Sequence, residues 1–228
     1  MMRMKSLGRG AAALSLMTLL AIPARVEGAT RKIEFPPEGT DRIIEAKVLP
    51  DQPVTAARKG GKDAGRARTP KERRYREAQI LSVSDLFRRY NRSLTAQSGR
   101  QYAEYILQAG EQFKQEPFAL AALIVHESSA NAKAVSRGGD YGLMQVRWNV
   151  HKSNITKKYP HIKKAKDMFD PRYNVLIGTE IFARYRGNSD VKGGVLRYSA
   201  GNKKLAQKVL ATMKELEKSY QKHLKALS

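Results

Sequence analysis

The chain of 228 residues has no cysteine. That excludes disulfides, thiol catalysis and cysteine-ligated metal, and says nothing about compartment, since a protein without thiols suits any redox environment. Its four histidines, His126, His151, His161 and His223, show no ligand spacing, so no metal and no cofactor are expected. Phosphate-cradling glycine loops and nucleophile elbows are missing as well. Acidic residues are scarce, 21 against 43 lysines and arginines, giving a formal charge of +22. An excess of that size implies an anionic partner: nucleic acid, an anionic membrane surface or a wall polymer. There is no internal repeat and no strand-rich region. No apolar run reaches the length of a comfortable membrane span.

The longest apolar run, Ala11–Ala24, follows a basic start carrying Arg3, Lys5 and Arg9. This is the pattern of a secretory signal peptide over residues 1–29, with cleavage after Ala24, Gly28 or Ala29. Its removal takes four bases (Arg3, Lys5, Arg9, Arg25) and one acid (Glu27), leaving +19. Export turns the expectation away from nucleic acid and towards the cell envelope. Residues 30–78 read as a basic Pro/Gly-rich linker, disordered by composition, with one isolated strand-like stretch at Arg42–Leu49. Nine bases stand against Asp63 and Glu72 between Arg58 and Arg76. Such an arm would adhere to an anionic wall or lipid surface.

From residue 79 onward the periodicity is helical, so the fold class is mostly α: a bundle around a central helix, with at most a small β-hairpin near Val135–Val146. Ser82 or Ser84, Ser98, Pro117, Asp170-Pro171 and Asp190 mark helix starts. The last helix is amphipathic through Leu205, Val209, Met213, Leu216, Tyr220, Leu224 and Leu227. The central stretch carries the chemistry. Leu120, Leu123 and Glu127 share one helical face, so Glu127 ends an apolar stripe. Burial there disfavours the charged carboxylate and lets a glutamate hold a proton near neutrality, as a general acid must.

Glu127-Ser128, Gly142-Leu143-Met144-Gln145, Asn174-x-x-x-Gly178 and Tyr198-Ser199-Ala200-Gly201 follow in order. Together they resemble the catalytic domain of the soluble lytic transglycosylases, in the lysozyme-like superfamily, over roughly Tyr102–Leu210. The resemblance implies a lysozyme-like α+β fold and peptidoglycan glycan strands as substrate. It also implies Glu127 as the sole acid and base, cutting between N-acetylmuramic acid and N-acetylglucosamine to leave a 1,6-anhydromuramyl end. By the same resemblance, Ser128 hydrogen-bonds near the acid or the substrate; Gly142, having no side chain, permits a backbone conformation or a close sugar approach that a side chain would obstruct. Met144 offers backbone contacts and Gln145 its amide to an N-acetyl group. Tyr198 places its hydroxyl near the acid, while Asn174 and Gly178 brace the site. The chain departs from the family in Arg197-Tyr198-Ser199, where Ala-Tyr-Asn is usual.

Asp140-Tyr141-Gly142 also looks like the active-site hairpin of chicken-type lysozyme. A muramidase using Glu127 and Asp140 with water is therefore a second reading, and an inert basic binding protein a third. Secretion-associated members of the transglycosylase family share Asp-Tyr-Gly at this place, which admits a secretion-system or envelope-machine partner. Trp148 and Tyr159 are candidate sugar-stacking rings.

Overall fold

A computed structural model describes residues 68–228. The expected signal peptide, the strand-like stretch at 42–49 and the linker up to residue 67 lie outside the described residues. Seven α-helices and one two-stranded sheet follow in order: α1 (Pro70–Tyr90), α2 (Ala96–Phe113), α3 (Pro117–Ser128), β1 (Asp140–Tyr141), β2 (Val146–Arg147), α4 (Trp148–Lys158), α5 (Pro171–Arg186), α6 (Val191–Tyr198) and α7 (Lys203–Ala226). A short 3-10 turn at Ala165–Phe169 precedes α5. Among the described residues no helix is long and apolar enough to cross a membrane.

The linker expected to reach residue 78 ends earlier, because α1 opens at Pro70. Thr69 accepts from the Glu72 backbone and Glu72 answers to the Thr69 backbone, a reciprocal cap ahead of a first-turn proline. Ion pairs then tie α1 to α2: Arg76, at the end of the basic run, meets Glu111 at 2.9 Å, and Glu77 takes two hydrogen bonds from Arg100. Ser82 and Ser84 therefore lie buried inside α1 and cap nothing. Likewise Thr95, and not Ser98, caps α2 by accepting from the Ser98 backbone.

The central helix α3 is surrounded. Every residue from Phe118 to Val125 is buried, which an ordinary one-faced amphipathic helix would not tolerate. α7 and α2 pack on it, with α1 at its edge, and α5 packs on α2. Pro117 starts α3, Asp170 caps α5 by accepting from Arg172 and Tyr173, and Asp190 caps α6. The hairpin pairs Asp140 with Arg147 and Tyr141 with Val146, antiparallel, and an isolated bridge joins Val135 to Tyr141. The core is thus helical, and the hairpin sits beside the C-terminal end of α3.

Candidate active site

α3 stops abruptly. Ser129 and Ala130 both take the left-handed conformation, at φ 52 and 57, and turn the chain out of the helix. Glu127 occupies the last turn just before that break and is partly buried. Among the described residues no hydrogen bond or ion pair engages its carboxyl. Burial, then the negative charge of Asp140, raise its pKa from 4.5 to about 7, against the opposing pull of Arg147. The carboxyl can then hold a proton near neutral pH, far above the range of an ordinary glutamate. His126, next in sequence, faces elsewhere: its Nε2 lies 2.9 Å from Thr212 of α7 and its ring meets Tyr90 edge-on.

The loop between the strands is held from below by α5. Gly142 sits at φ +76, and a Cβ there would fall 2.2 Å from Asn174 Nδ2 and 2.5 Å from the Met168 carbonyl. No other residue fits. Asn174 is wholly buried and fully used. Its amide donates to the carbonyls of Tyr141 (2.8 Å) and Met168 (2.9 Å), and its oxygen accepts from the Met144 backbone at 2.8 Å. Gly178, one turn further along α5, leaves room for the Met144 side chain, whose Cβ and sulfur would each lie 2.7 Å from an added Cβ.

α6 closes the ring of contacts. The Tyr198 hydroxyl donates to the Met144 carbonyl at 2.7 Å, and its ring meets Phe182 and Tyr185 edge-on. Burial, then the nearby Glu127 charge, raise the phenol far above its ordinary range, so it stays a donor. Met144 thus has both backbone groups engaged within the protein. Gln145, at φ 49, turns its amide N–H groups onto the Gly142 carbonyl (2.9 Å) and the Ala134 carbonyl (3.2 Å). Ser128 donates to Ile124 of its own helix at 3.1 Å. Ser199, where the family's asparagine is usual, likewise bonds back to Val195.

Arg147 escaped the sequence reading. The pairing of Asp140 with Arg147 puts them side by side, and the guanidinium takes both carboxylate oxygens, Nε to Oδ1 at 2.6 Å and Nη2 to Oδ2 at 3.0 Å. Ser136 adds a third hydrogen bond to Oδ2 at 2.6 Å. Burial alone would raise Asp140; the Arg147 and Ser136 hydrogen bonds outweigh it and hold the carboxyl below its usual range. The available signal was a basic residue seven positions after an acid across a tight turn.

Tyr159 is not at a cleft edge. It is 2% exposed and donates to Glu180 at 2.7 Å, a carboxylate also held by Lys158 and Arg184. Trp148 is partly buried at the start of α4, against the core. A cavity of about 760 Å³ lies elsewhere, between the start of α1 and Leu227. No three His, Asp or Glu side chains among the described residues converge to hold a metal ion. With this geometry established, a family model described as a transglycosylase SLT domain matches residues 104–221, more than half of the chain.

Proposed function

Because the chain belongs to the transglycosylase SLT domain family, whose lysozyme-like members act on peptidoglycan, we propose that it is a lytic transglycosylase in which Glu127 serves first as acid and then as base. One observation carries the reading. A single carboxyl group, partly buried and titrating at about 7, stands beside the hairpin with no hydrogen bond or ion pair among the described residues. Glu127 donates its proton to the glycosidic oxygen as the bond to the muramyl C1 breaks. The C6 hydroxyl of the same sugar then attacks C1, and the Glu127 carboxylate accepts its proton. An attached nucleophile has a large effective concentration, so neither water nor a second enzyme carboxylate is required.

Asp140 separates this reading from the hydrolytic one. A carboxylate that activates water must take up its proton, and the hydrogen bonds from Arg147 and Ser136 hold Asp140 below its usual range and so weaken it as a base. The seven lysines of α7, all exposed opposite its apolar face, would keep the enzyme close to an anionic wall. We assign it to the cell envelope on the same grounds. Mass spectrometry of muropeptides released from purified sacculi tests the proposal. Anhydromuramyl ends are expected from the parent and no release from Glu127→Gln. Digestion by Glu127→Gln at the parental rate refutes it.

A further inference from the structure

The Asp140–Arg147 pair does more than fix a two-residue strand register. We propose that Arg147 is a positioning residue that determines the reaction's outcome: its bidentate pairing fixes Asp140 as a paired carboxylate and weakens it as a base for water, so that the sugar's own hydroxyl captures C1. This rests on the assignment of Glu127 as the acid.

The geometry sets the terms. Asp140 is charged, its side chain is only 16% exposed, and its charge is felt at Glu127. A carboxylate within electrostatic reach of the acid can serve as the base for an attacking water molecule. What withholds it is the fork of Arg147, which takes one N–H bond to each oxygen, together with the Ser136 hydroxyl. The Arg147 side chain is itself 46% exposed, so the lock lies at the surface of the hairpin and not within the core. Its removal leaves the Asn174–Met144–Tyr198 network untouched.

Released from Arg147, Asp140 supports a balanced hydrolytic step. Glu127 gives its proton to the departing glycosidic oxygen and the C1–oxygen bond breaks. The oxygen of water bonds to C1, and its proton passes to Asp140. Solvent then reprotonates Glu127 and deprotonates Asp140, leaving a reducing end in place of an anhydro end. A positioned general base is worth about 10²–10⁴-fold, so even a small part of that effect alters the product distribution.

The same change should shift the pH profile. The charged and titratable groups facing Glu127 are Asp140 on β1, Arg147 on β2 and Tyr198 on α6. Behind them His151 of α4 and Arg184 of α5 flank the Asp140–Arg147 pair, with Tyr185 adjacent. Among the described residues Arg147 is the one cation that lowers Glu127, and its loss moves the alkaline limb of activity upward.

The experiment digests sacculi in heavy-oxygen water with the full chain, comparing the parent with Arg147→Gln, Arg147→Lys and the double variant Asp140→Asn/Arg147→Gln. Thermal melts confirm folding, and Glu127→Gln controls for the acid. The label enters only hydrolytic products. Arg147→Gln should raise the labelled share about tenfold or more, a modest part of what a general base supplies. Lysine, which cannot hold both oxygens, should move it in the same direction by less, and it provides the readout if the glutamine variant fails to fold. The double variant should return the share to the parental level. Anhydro products from the parent and an unchanged share in both Arg147 variants overturn the lock while sparing the role of Glu127. A raised share that persists in the double variant also overturns it, because water would then enter without Asp140. Digestion by Glu127→Gln at the parental rate removes the reading on which the proposal stands.

Discussion

Glu127→Gln is expected to abolish digestion and also to stabilise the protein, but only above acidic pH. In the folded chain the Glu127 carboxyl titrates at about 7, against an ordinary value of 4.5, chiefly because burial disfavours its charged form. The folded state therefore holds a proton that the unfolded state has lost between those two values. With fewer protons bound to the unfolded chain, stability falls as pH rises through this window and levels off above 7. At about 1.36 kcal/mol per pH unit, the interval is worth up to about 3.4 kcal/mol. Water penetration and local relaxation make that a ceiling. Glutamine is of nearly the same shape and never ionises, so the variant escapes the loss. At pH 8 it should exceed the parent by about 2–3 kcal/mol, which is roughly 4–12 °C in Tm for a domain of this size. At pH 4 the two should melt together. Thermal melts or urea titrations at pH 4, 6 and 8 read the difference directly. A Tm gap that is the same at all three pH values would show that Glu127 is not desolvated, and the argument for a proton-holding acid would fail with it.

Three further outcomes follow from the geometry. Gly142→Ala should cost about 2–5 kcal/mol in urea denaturation, because the added carbon meets Asn174 and a backbone carbonyl at a positive φ; a cost below about 1 kcal/mol would mean that the loop yields easily. Tyr198→Phe removes the bond to the Met144 carbonyl and should lower stability by about 1 kcal/mol. It should leave the alkaline limb of activity in place, since that limb belongs to Glu127; a limb that disappears would reassign it to the phenol. Glu180→Gln breaks the cluster with Lys158, Tyr159 and Arg184 and should cost about 1–2 kcal/mol at pH 7, the two cations being partly solvated. Burial would raise the Glu180 carboxyl, but its hydrogen bonds to Lys158 and Tyr159 outweigh this and keep it below its ordinary value. Its stabilisation is therefore lost as pH falls through the carboxylate range, and the variant should flatten acid denaturation there.

The sequence made the helical core legible where periodicity and caps agreed: Pro117, Asp170-Pro171 and Asp190 each begin a helix, and α7 follows its apolar stripe. It misled at α1. A basic run reads as a solvated arm until the next helix brings Arg100 beside Glu77 and Glu111 beside Arg76. Those partners lie 23 and 35 residues away, beyond what a local pattern reports. At the site, residue types were readable and their bonds were not. Gly142 was expected to permit either a special backbone conformation or a close sugar approach; it sits at φ +76, packed against Asn174, a partner that no local pattern named. Gln145 and Met144 were expected to face substrate, whereas the Gln145 amide hydrogens and the Met144 backbone groups serve the loop. Arg147 was invisible because its meaning depends on a register that only the folded hairpin fixes.

These internal bonds explain how a loop with a non-glycine residue at positive φ can hold its shape. Gln145 adopts a conformation that side chains disfavour, and it is retained because its amide bridges two carbonyls of the same loop. Met144 is fixed at three points: Asn174 at its N–H, Tyr198 at its carbonyl and Gly178 beneath its side chain. α5 and α6 thereby determine where the hairpin stands relative to the end of α3. The hairpin carries Asp140 and Arg147, whose opposing charges act on Glu127. A shift of the loop would change both charges' distances to the acid and so its proton affinity. Rigidity in the loop and the protonation state of Glu127 are thus one structural problem, solved by the same buried asparagine.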